Sequence, residues 1–468
     1  MNQKFKRASL ACLLCGALST GSLLAQPKVY YISLDEGVAI TSNPVQEYPQ
    51  AQDVDGGLKV NLYPNSKLQT IDGFGGAFNE IGGEALMSLS KKKRQEVINA
   101  LFSPEISNFT FCRTAIGASD FGRNAYSYSE VADDYEMKHF SVEREKKSVI
   151  PMIKMAQETN PEMKLFASPW SPPGWMKYSG LMDQSDKNKQ TSKLKDTPEI
   201  YQAYALYFAK YVEAYKSNGI RVDRIVVQNE TDIPTKYPSN IMSADQMNTL
   251  VGYMRPTFSE QGVESEIWAG TFRSAAVLDM IEFASNSEYV DAVDGIGMQY
   301  TSTQFIQDLQ ILAPGKPMMH TESACFNSQN SVTQAYSRFA EVASYINSGV
   351  SNFCYWNMIL DQTKSSGWGW PQNSLIVIDM ESGDVTYTPD YAVMSLFGRF
   401  IKPGIERCSS KVGGKDVAMT FVDGNNATII MKNESDEEMV IGCYEMNEFV
   451  ANAVIPARSI AAITYELN

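Results

Sequence analysis

Between about residues 69 and 401, short apolar runs alternate with longer amphipathic runs, and the alternation repeats eight times. Short runs rich in β-branched and aromatic residues predict buried strands, whereas apolar residues at positions i, i+3, i+4 and i+7 predict helices. Strands that alternate with helices form parallel sheets, because each helix carries the chain back across the sheet. Eight such units over roughly 330 residues predict an α/β fold of the (β/α)8 TIM-barrel type.

The clearest of the predicted helices is 198–216, in which the apolar side chains share one face. Pro198 suits its first turn, and Asn218-Gly219 marks its end. The first predicted strand is expected to end in a glycine-rich turn. The predicted barrel strands are 70–78, 109–117, 163–170, 221–230, 266–270, 293–300, 316–323 and 352–357, and the predicted helices are 84–101, 142–157, 198–216, 243–260, 275–284, 303–312, 332–347 and 390–401.

The two ends of the chain follow a different pattern, with short strand-like runs separated by turns. This pattern covers residues 28–71 and returns from about residue 402 onward. We therefore predict a β-sandwich domain that is fused to the barrel and built from both the N-terminal segment and the C-terminal tail. The predicted division is a signal peptide over 1–25, N-terminal strands over 26–68, the barrel over 69–401 and the β-sandwich over 402–468.

The first 25 residues have the features of a secretory signal peptide. Lys4, Lys6 and Arg7 form a basic start, 8–24 is apolar and rich in small residues, and Ala25-Gln26 is a cleavage point. We therefore expect export to the periplasm, the cell surface or the medium. No other apolar stretch has the length of a transmembrane helix, so no membrane span is predicted.

Cysteine, histidine and charge content argue against several kinds of site. The chain has only two histidines, His139 and His320, and they are far apart, so neither a histidine-based metal site nor a cofactor is predicted. The formal net charge of −14 argues against a nucleic-acid partner, because phosphate binding needs clustered cations. Once the predicted signal peptide, which contains Cys12 and Cys15, is removed, no CxxC pair remains and the number of cysteines is odd, which leaves at least one thiol free: Cys112, Cys325, Cys354, Cys408 and Cys443.

Two carboxylates end predicted strands, Glu230 the fourth and Glu322 the seventh. Functional groups of such barrels collect at the C-terminal ends of the strands, so we expect both to face one pocket. Two converging carboxylates are what glycoside hydrolysis requires, since one donates a proton to the departing oxygen while the other attacks the anomeric carbon or activates water. The alternative is that each carboxylate forms a structural ion pair at the barrel rim.

Aromatic residues stand at three further predicted strand ends. Trp170 ends the third strand, Tyr300 the sixth and Trp356 the eighth. Aromatic ring faces offer apolar surface for the C–H faces of sugars, and residues at strand ends and in loops commonly carry function. These three residues are therefore predicted to belong to a sugar site.

Arg113 lies on the second predicted strand, with Asp120 a few residues beyond it. A buried guanidinium requires an acceptor. Glu322 is one candidate, and such a contact would keep that carboxylate ionised. A purely structural pair between Arg113 and Asp120 is the alternative.

Several sequence blocks occur in a fixed order along residues 70–400 and carry a family resemblance. The blocks are Asp72-Gly73-Phe74-Gly75-Gly76-Ala77-Phe78, Arg113 through Asp120-Phe121, Ser168-Pro169-Trp170-Ser171-Pro172-Pro173, Gln228-Asn229-Glu230, Thr321-Glu322-Ser323, and Trp356-Asn357 with Trp368. This ordered set resembles glycoside hydrolase family 30, which includes glucosylceramidases and microbial β-1,6-glucanases.

The resemblance implies a retaining β-glycosidase whose barrel carries a β-sandwich formed from both chain ends. It implies Glu230 as the acid/base, Glu322 as the nucleophile and Asn229 as a partner of the sugar 2-hydroxyl. The remaining positions that match the family's sugar subsite are Asp120, Trp170, Tyr300 and Trp356.

The sequence departs from the family pattern at positions that concern the substrate. Thr231 stands where the family usually has proline after the acid/base. Ala324 stands where lipid-cleaving members commonly have cysteine, and Cys325 follows one residue later. The loop 361–372 does not match a lipid-specific form. A β-glucan or β-glucoside is therefore expected at least as much as glucosylceramide.

The sequence thus predicts an exported retaining β-glycoside hydrolase that cleaves β-glucosidic bonds by double displacement. The expected partner is a β-linked glucan, oligosaccharide or glucoside, cleaved by a glucosidase, a glucosylceramidase-like enzyme or an endo-β-1,6-glucanase. Three alternatives remain open. They are a non-catalytic glycan-binding protein on the same barrel, a family-30 hydrolase for another β-linked sugar such as xylan or a β-fucoside, and a metal-dependent barrel hydrolase, which the shortage of histidine disfavours.

Overall fold

The computed structural model of the chain describes residues 27–50, 56–183, 189–324, 326–413 and 417–467. The predicted signal peptide, its cleavage point and Cys325 lie outside the described residues. The other cysteines remaining after the signal peptide, Cys112, Cys354, Cys408 and Cys443, are buried free thiols.

Strands and helices follow one another along the described residues as the hydrophobic periodicity predicts. The strands are β1 Lys28–Ser33, β2 Gln46–Tyr48, β3 Leu58–Thr70, β4 Gly73–Phe78, β5 Phe111–Ala115, β6 Lys164–Ser168, β7 Arg224–Val226, β8 Glu266–Phe272, β9 Gly295–Gln299, β10 Met318–Glu322, β11 Asn352–Asn357, β12 Ile359–Asp361, β13 Ile376–Ile378, β14 Val385–Tyr387, β15 Glu406–Val412, β16 Met419–Asp423, β17 Asn426–Asn433, β18 Met439–Glu445, β19 Glu448–Ile455 and β20 Ser459–Glu466. The α-helices are α1 Glu80–Ser88, α2 Lys91–Phe102, α3 Val149–Thr159, α4 Pro198–Ser217, α5 Ala244–Gln261, α6 Val277–Ala284, α7 Ser287–Ala292, α8 Thr303–Leu312, α9 Val332–Asn347 and α10 Pro389–Phe400.

Strands β4 to β11 form one parallel sheet in the order β10-β9-β8-β7-β6-β5-β4-β11, which confirms the predicted (β/α)8 barrel. Each of the eight predicted barrel strands overlaps one strand of this sheet. Inward-facing side chains fill the barrel beneath the site, because the strands are buried on both faces. This inner cluster consists of Phe111, Phe166, Val226, Trp268, Met319 and Cys354.

The barrel closes between β10 and β11, and side chains bridge this junction. The Asn352 side chain accepts a hydrogen bond from His320 N (2.9 Å) and donates one to His320 O (2.8 Å). His320 Nδ1 accepts from Cys354 N (3.1 Å), and Ser323 Oγ accepts from Trp356 N (3.0 Å). Side-chain groups thus satisfy buried backbone groups that a strand ladder would otherwise pair.

Two predicted helices differ from the observed ones, since one is divided into two helices and the other begins later than predicted. The segment 84–101 is two helices, since Ser90 caps α2 by accepting a hydrogen bond from Lys93 N (3.3 Å). The predicted helix 142–157 becomes α-helical only at Val149, after a short 3₁₀ turn at Glu143–Lys147. In both cases the apolar periodicity continues through a local break in the helix.

The glycine-rich turn predicted at the end of the first barrel strand is wrong, because Gly75 and Gly76 lie inside β4. A Cβ atom at Gly75 would clash with the carbonyl oxygen of Phe111 and would lie 2.8 Å from Cys112 Sγ. Gly75 therefore permits β4 to pack closely against β5 within the barrel.

The second sheet joins both chain ends, as predicted for the fused β-domain. Its strand order is β19-β18-β3-β15-β16-β17-β20-β1-β2, and most of its pairs are antiparallel. The N-terminal strand β1 pairs with β20 over Lys28–Ser33, and β3 lies between β15 and β18. β3 continues to Thr70 and pairs with β15 along most of its length. A small third sheet, β12-β13-β14, follows the last barrel strand.

No helix among the described segments combines the length and apolar character of a membrane span.

Candidate active site

The C-terminal ends of the barrel strands surround a cavity of about 240 Å³. Pockets for drug-sized ligands typically measure ~300–1,000 Å³, so this cavity suits a single small polar unit. Glu322 is the last residue of β10, and Glu230 follows the end of β7 by four residues. The cavity is lined by Asp120, Trp170, Asn229, Glu230, Tyr237, Tyr300, Glu322, Trp370 and Gln372.

The predicted site residues come together at this cavity, most of them in its wall. Arg113 and Trp356 are the two that do not line it. The Trp356 ring stacks on the Trp170 ring with 5.1 Å between centroids, and the Arg113 guanidinium lies 4.5 Å from the Trp170 ring centre. Both therefore support the cavity wall rather than form its surface.

Glu322 is buried, and hydrogen bonds are donated to both of its carboxylate oxygens. Arg113 Nη1 donates to Oε2 (2.7 Å), and the Tyr300 hydroxyl donates to Oε1. Burial raises the pKa of Glu322, while the charge of Arg113 and the hydrogen bond from Tyr300 act in the opposite direction. These donors hold the carboxylate in one orientation and favour its ionised form.

Arg113 is fully buried in β5 and joins the ends of three other strands. Besides Glu322, it donates to Ser168 Oγ (2.7 Å), Thr321 O (3.0 Å) and Asn229 Oδ1 (2.8 Å). Of the two acceptors considered from the sequence, Glu322 is the one that it contacts. Within the described ranges, no ion pair links Arg113 to Asp120.

Asn229 is held through its side-chain oxygen. Oδ1 accepts hydrogen bonds from Arg113 Nη2 (2.8 Å) and Gln299 Nε2 (3.4 Å). The side-chain nitrogen of Asn229 therefore remains available to donate a hydrogen bond to a ligand in the cavity that Asn229 lines. An amide donor fixed beside two carboxylates is suited to bind a ligand hydroxyl.

Glu230 adopts a left-handed backbone conformation with φ of 43°, which is uncommon for a residue other than glycine. Its N–H donates to Thr271 Oγ1 (3.0 Å), and its Oε1 accepts from Arg273 Nη1 (3.3 Å) and Gln299 Nε2 (3.4 Å). Burial raises the pKa of Glu230 to about 7, with Arg273 lowering it and the charge of Glu322 raising it. At neutral pH this residue can therefore hold a proton that it is able to donate.

Asp120 completes the acidic wall of the cavity. Its Oδ1 is buried without a hydrogen-bond partner. Burial, together with the negative charges of Glu322 and Glu230, raises the pKa of Asp120 well above its usual range. A buried polar atom without a partner is costly, so this oxygen is available to a bound hydroxyl.

Several residues of the site were not predicted from the sequence. Tyr237 and Trp370 pack edge to face with 4.8 Å between ring centroids, and Gln372 accepts from Asn357 Nδ2 (2.9 Å). Arg273 is the first residue beyond β8, and a charged residue directly after a barrel strand is the signal that could have identified it.

The arrangement combines an oriented carboxylate, a second carboxyl with a pKa near neutrality, and donors for hydroxyl groups. No group of three or more potential ligands among His, Cys, Asp and Glu is placed to hold a metal ion in the described part of the chain. The geometry suits acid/base and nucleophilic chemistry at a sugar-sized ligand.

Comparison with known proteins agrees with this geometry. Residues 71–262 match the model of the glycosyl hydrolase family 30 TIM-barrel domain. Putative glucosylceramidase 3 of Caenorhabditis elegans is 27% identical over 443 residues, which cover 87% of this chain and 82% of that protein. Endo-1,6-beta-D-glucanase neg1 of Aspergillus fumigatus is 33% identical over 226 residues, which cover 45% of this chain and 46% of that protein. The solved structure of the endo-beta1,6-glucanase BT3312 shares the fold, with a TM-score of 0.80 at 20% identity over 94% of this chain and 100% of that chain.

Proposed function

We propose that this chain, which belongs to glycoside hydrolase family 30, cleaves β-glucosidic bonds with Glu322 as nucleophile and Glu230 as acid/base. The chain is a retaining glycoside hydrolase, so the bond at the anomeric carbon is broken in two displacements. The observation that carries the assignment of roles is the difference between the two carboxyl groups. Arg113 and Tyr300 orient Glu322 as an anion, whereas Glu230 can hold a proton near neutral pH.

In the first displacement, Glu322 Oε attacks the anomeric carbon while Glu230 protonates the glycosidic oxygen and the aglycone leaves. A glycosyl ester on Glu322 results. In the second displacement, Glu230 takes a proton from water, and that water attacks the same carbon and releases the sugar with the Glu322 carboxylate.

The change of role at Glu230 follows from electrostatics. The charge of Glu322 raises the pKa of Glu230 in the free enzyme. Ester formation removes that charge, which lowers the pKa of Glu230 and prepares it to act as a base. The two carboxyl groups thus titrate as a linked pair through the reaction.

The cavity supports a single sugar as the unit that is recognised at the cleavage point. The Asn229 amide is placed for the 2-hydroxyl, where hydrogen bonds strengthen as the transition state forms. Asp120 offers a carboxyl to a further hydroxyl, and Trp170 offers part of the wall. The curated relatives are named as glucosylceramidases and endo-1,6-glucanases, which supports glucose as that sugar.

Replacement of Glu322 by glycine tests the nucleophile. We expect hydrolysis of aryl β-glucosides and β-1,6-glucan to be abolished, and azide to restore turnover of the aryl glucoside as glucosyl azide. Full activity in Glu322→Gly would contradict the assignment. Calorimetric binding of a glucan without any product from the wild-type protein would instead favour a non-catalytic glycan-binding protein.

Replacement of Glu230 by glutamine tests the acid/base role. We expect a much larger loss on substrates with poor leaving groups than on dinitrophenyl glucosides, since only the former need protonation. Glu213→Gln, on the exposed face of α4, is the control, and it should leave both substrates unaffected. Equal losses on both substrate classes would rule out the acid role.

The identity of the aglycone and the cellular location of the enzyme can be tested separately. Product analysis on β-1,6-, β-1,3- and β-1,4-glucans, xylan, aryl β-fucoside and glucosylceramide would identify the linkage, and we expect β-glucosidic substrates to be cleaved. Export is expected from the N-terminal segment. An exported protein whose N-terminal residue is Gln26 would support this expectation. A protein that stays in the cell and still carries residues 1–25 would contradict it.

A further inference from the structure

An ion pair stands directly behind the carboxyl of Glu230. Arg273 Nε lies 3.0 Å from Asp232 Oδ1, and Arg273 Nη2 lies 2.8 Å from Asp232 Oδ2. The third nitrogen of the same guanidinium, Nη1, lies 3.3 Å from Glu230 Oε1. The side chains of Arg273 and Asp232 are only 16% and 15% exposed, so bulk solvent screens them weakly.

We propose that Arg273 and Asp232 act together as positioning residues that set the pH range in which Glu230 can donate its proton. This inference rests on Glu230 being the acid/base. Neither residue touches the reacting atoms in this scheme, and both act through Glu230.

The charge balance of the pair explains why both members are needed. A guanidinium beside a carboxylate normally holds that carboxylate in its ionised form, which is unsuitable for a proton donor. The bidentate contact with Asp232 places one negative charge against the one positive charge of Arg273. Arg273 can then orient Glu230 without forcing it to ionise.

The geometry also separates the two oxygens of Glu230. Oε1 is held by Arg273 Nη1 and by Gln299 Nε2. Both donors bind the same oxygen, which leaves Oε2 as the oxygen that can carry the proton. The backbone of Glu230 is held by the same segment as Arg273, since its N–H donates to Thr271 Oγ1 (3.0 Å), two residues before Arg273.

The pair depends on a part of the chain in which the sequence leaves the family pattern. Thr231, in place of the usual proline, leads directly to Asp232. The left-handed backbone at Glu230 turns the chain so that Asp232 faces Arg273 at the end of β8. The segments that follow β7 and β8 are thereby joined at the acid/base.

The other charged and titratable groups around Glu230 are the same in the variants and in the wild-type enzyme. They add to the field at Glu230, so each must stay unchanged while the pair is altered. These groups are Glu322 from β10, Asp120 and Arg113 from β5 and its loop, Tyr237 from the loop after β7, and Tyr300 from the end of β9.

The two single variants are expected to move the pH profile in opposite directions. In Asp232→Asn, the uncompensated charge of Arg273 favours ionised Glu230, so the alkaline limb of kcat/KM moves to lower pH. In Arg273→Gln, the uncompensated charge of Asp232 disfavours ionised Glu230, so the limb moves to higher pH. Each shift should be at least ~0.5 pH unit, a threshold set below the ~1–3 units by which a direct charge partner moves a pKa. The double variant should lie between the single variants.

The matched controls are Glu213→Gln and Lys210→Gln. These residues form an exposed ion pair of 2.9 Å on α4 and carry the same charges as Asp232 and Arg273. We expect both controls to keep the wild-type limb. Shifts in the same direction for Asp232→Asn and Arg273→Gln, or no shift in either, would overturn the inference.

A readout without turnover separates this inference from the proposed function. ¹³C NMR of glutamate-labelled protein, with the Glu230 resonance assigned through Glu230→Gln, follows the titration of Glu230 directly. Opposite displacements of its midpoint in Asp232→Asn and Arg273→Gln would support the inference even if no substrate were cleaved. Asp232→Asn is isosteric and should fold, so an unmoved midpoint in a folded Asp232→Asn would disprove it.

Discussion

Arg113 carries a full charge in the interior of the barrel, and the groups that satisfy it belong to β6, β10 and the segment after β7. A buried charge is tolerated only when it is paired and hydrogen-bonded, so the sequence could indicate that an acceptor was required. It could not distinguish Glu322 from Asp120. That choice depends on which strand end faces Arg113 across the barrel.

Tyr300 tests how the nucleophile is held, since its hydroxyl donates to Glu322 Oε1. We expect Tyr300→Phe to lower kcat/KM by at least ~10-fold, because a hydrogen bond to a charged group is worth ~1.5–3 kcal/mol. Loss of this donor removes a contribution that lowers the pKa of Glu322. The acid limb of the kcat/KM profile should therefore move to higher pH.

The pH profile also distinguishes this role from a purely structural one. Tyr178→Phe removes a hydroxyl from a half-exposed tyrosine and is the control, with an unchanged acid limb expected. An unmoved acid limb in a folded Tyr300→Phe protein would show that this hydroxyl does not favour the ionised form of Glu322.

At the scale of elements, the strands and helices of the barrel follow from hydrophobic periodicity, whereas their ends follow from local contacts. Ser90 interrupts a continuous apolar pattern because its hydroxyl caps α2. The glycines of β4 resemble a turn in sequence but lie in a strand, and at Gly75 the neighbouring strand β5 leaves no room for a Cβ atom. Hydrophobic periodicity is a property of a single segment, whereas the close approach of β4 to β5 involves two segments.

Two glycine-to-alanine changes with opposite expected effects test this interpretation of β4. Gly75→Ala should lower the free energy of unfolding by ~1–3 kcal/mol, because the added methyl group meets Phe111 O and Cys112 Sγ. Gly252→Ala lies on the exposed face of α5, with nothing within 4 Å of its Cβ position, and should raise it by ~0.5–1 kcal/mol. Urea titration of both variants would measure the effects. A stabilised Gly75→Ala protein would contradict the close packing of β4 and β5.

The side-chain hydrogen bonds at the junction between β10 and β11 are expected to contribute to stability. Asn352→Ala would leave the N–H and the C=O of His320 without the side chain that pairs them. An unpaired buried polar group costs ~1–3 kcal/mol, so the free energy of unfolding should fall by ~2–5 kcal/mol. Asn425→Ala, at an exposed turn, is the control in the same urea titrations. A change in Asn352→Ala no larger than that of the control would show that other contacts close the barrel.

At the scale of the whole molecule, several buried carboxyl groups make stability depend on pH. Glu145 accepts hydrogen bonds from the hydroxyls of Tyr126 and Tyr128, which lie in the loop after β5, and of Tyr215, which lies on α4. Burial is the largest influence and raises the pKa of Glu145 to about 7, while the tyrosine hydrogen bonds act against it. The folded state therefore retains a proton that the unfolded chain has already released.

The sign of the effect follows from this difference in proton binding. A carboxyl with a raised pKa in the folded state contributes stability at low pH, and this contribution is lost as the pH rises through about 7. Between pH 5 and pH 8 the wild-type protein should lose ~2 kcal/mol more stability than Glu145→Gln, since one pKa unit corresponds to ~1.4 kcal/mol. Urea titrations of both proteins at the two pH values would measure this. Parallel losses in the two proteins would show that Glu145 does not titrate in that range.

The joining of both chain ends in one sheet also belongs to the whole molecule. β1 lies between β20 and β2, and β3 lies between β15 and β18. The sequence pattern of the two ends predicted such a domain. Its boundaries at 68 and 401 stay a prediction, and the continuation of β3 to Thr70 places the last residues of the N-terminal strand at the start of the barrel.

The sequence by itself determined the eight-fold strand and helix alternation, the β-character of both ends and the two carboxylates at strand ends. These properties depend on short segments, in which side-chain periodicity and chain position carry the information. The tertiary structure alone decided that Arg113 contacts Glu322, that Tyr237, Trp370 and Gln372 complete the cavity, and that Arg273 and Asp232 stand behind Glu230. Such contacts join residues far apart in the chain, and their distances follow from the closure of the barrel, which no single segment contains.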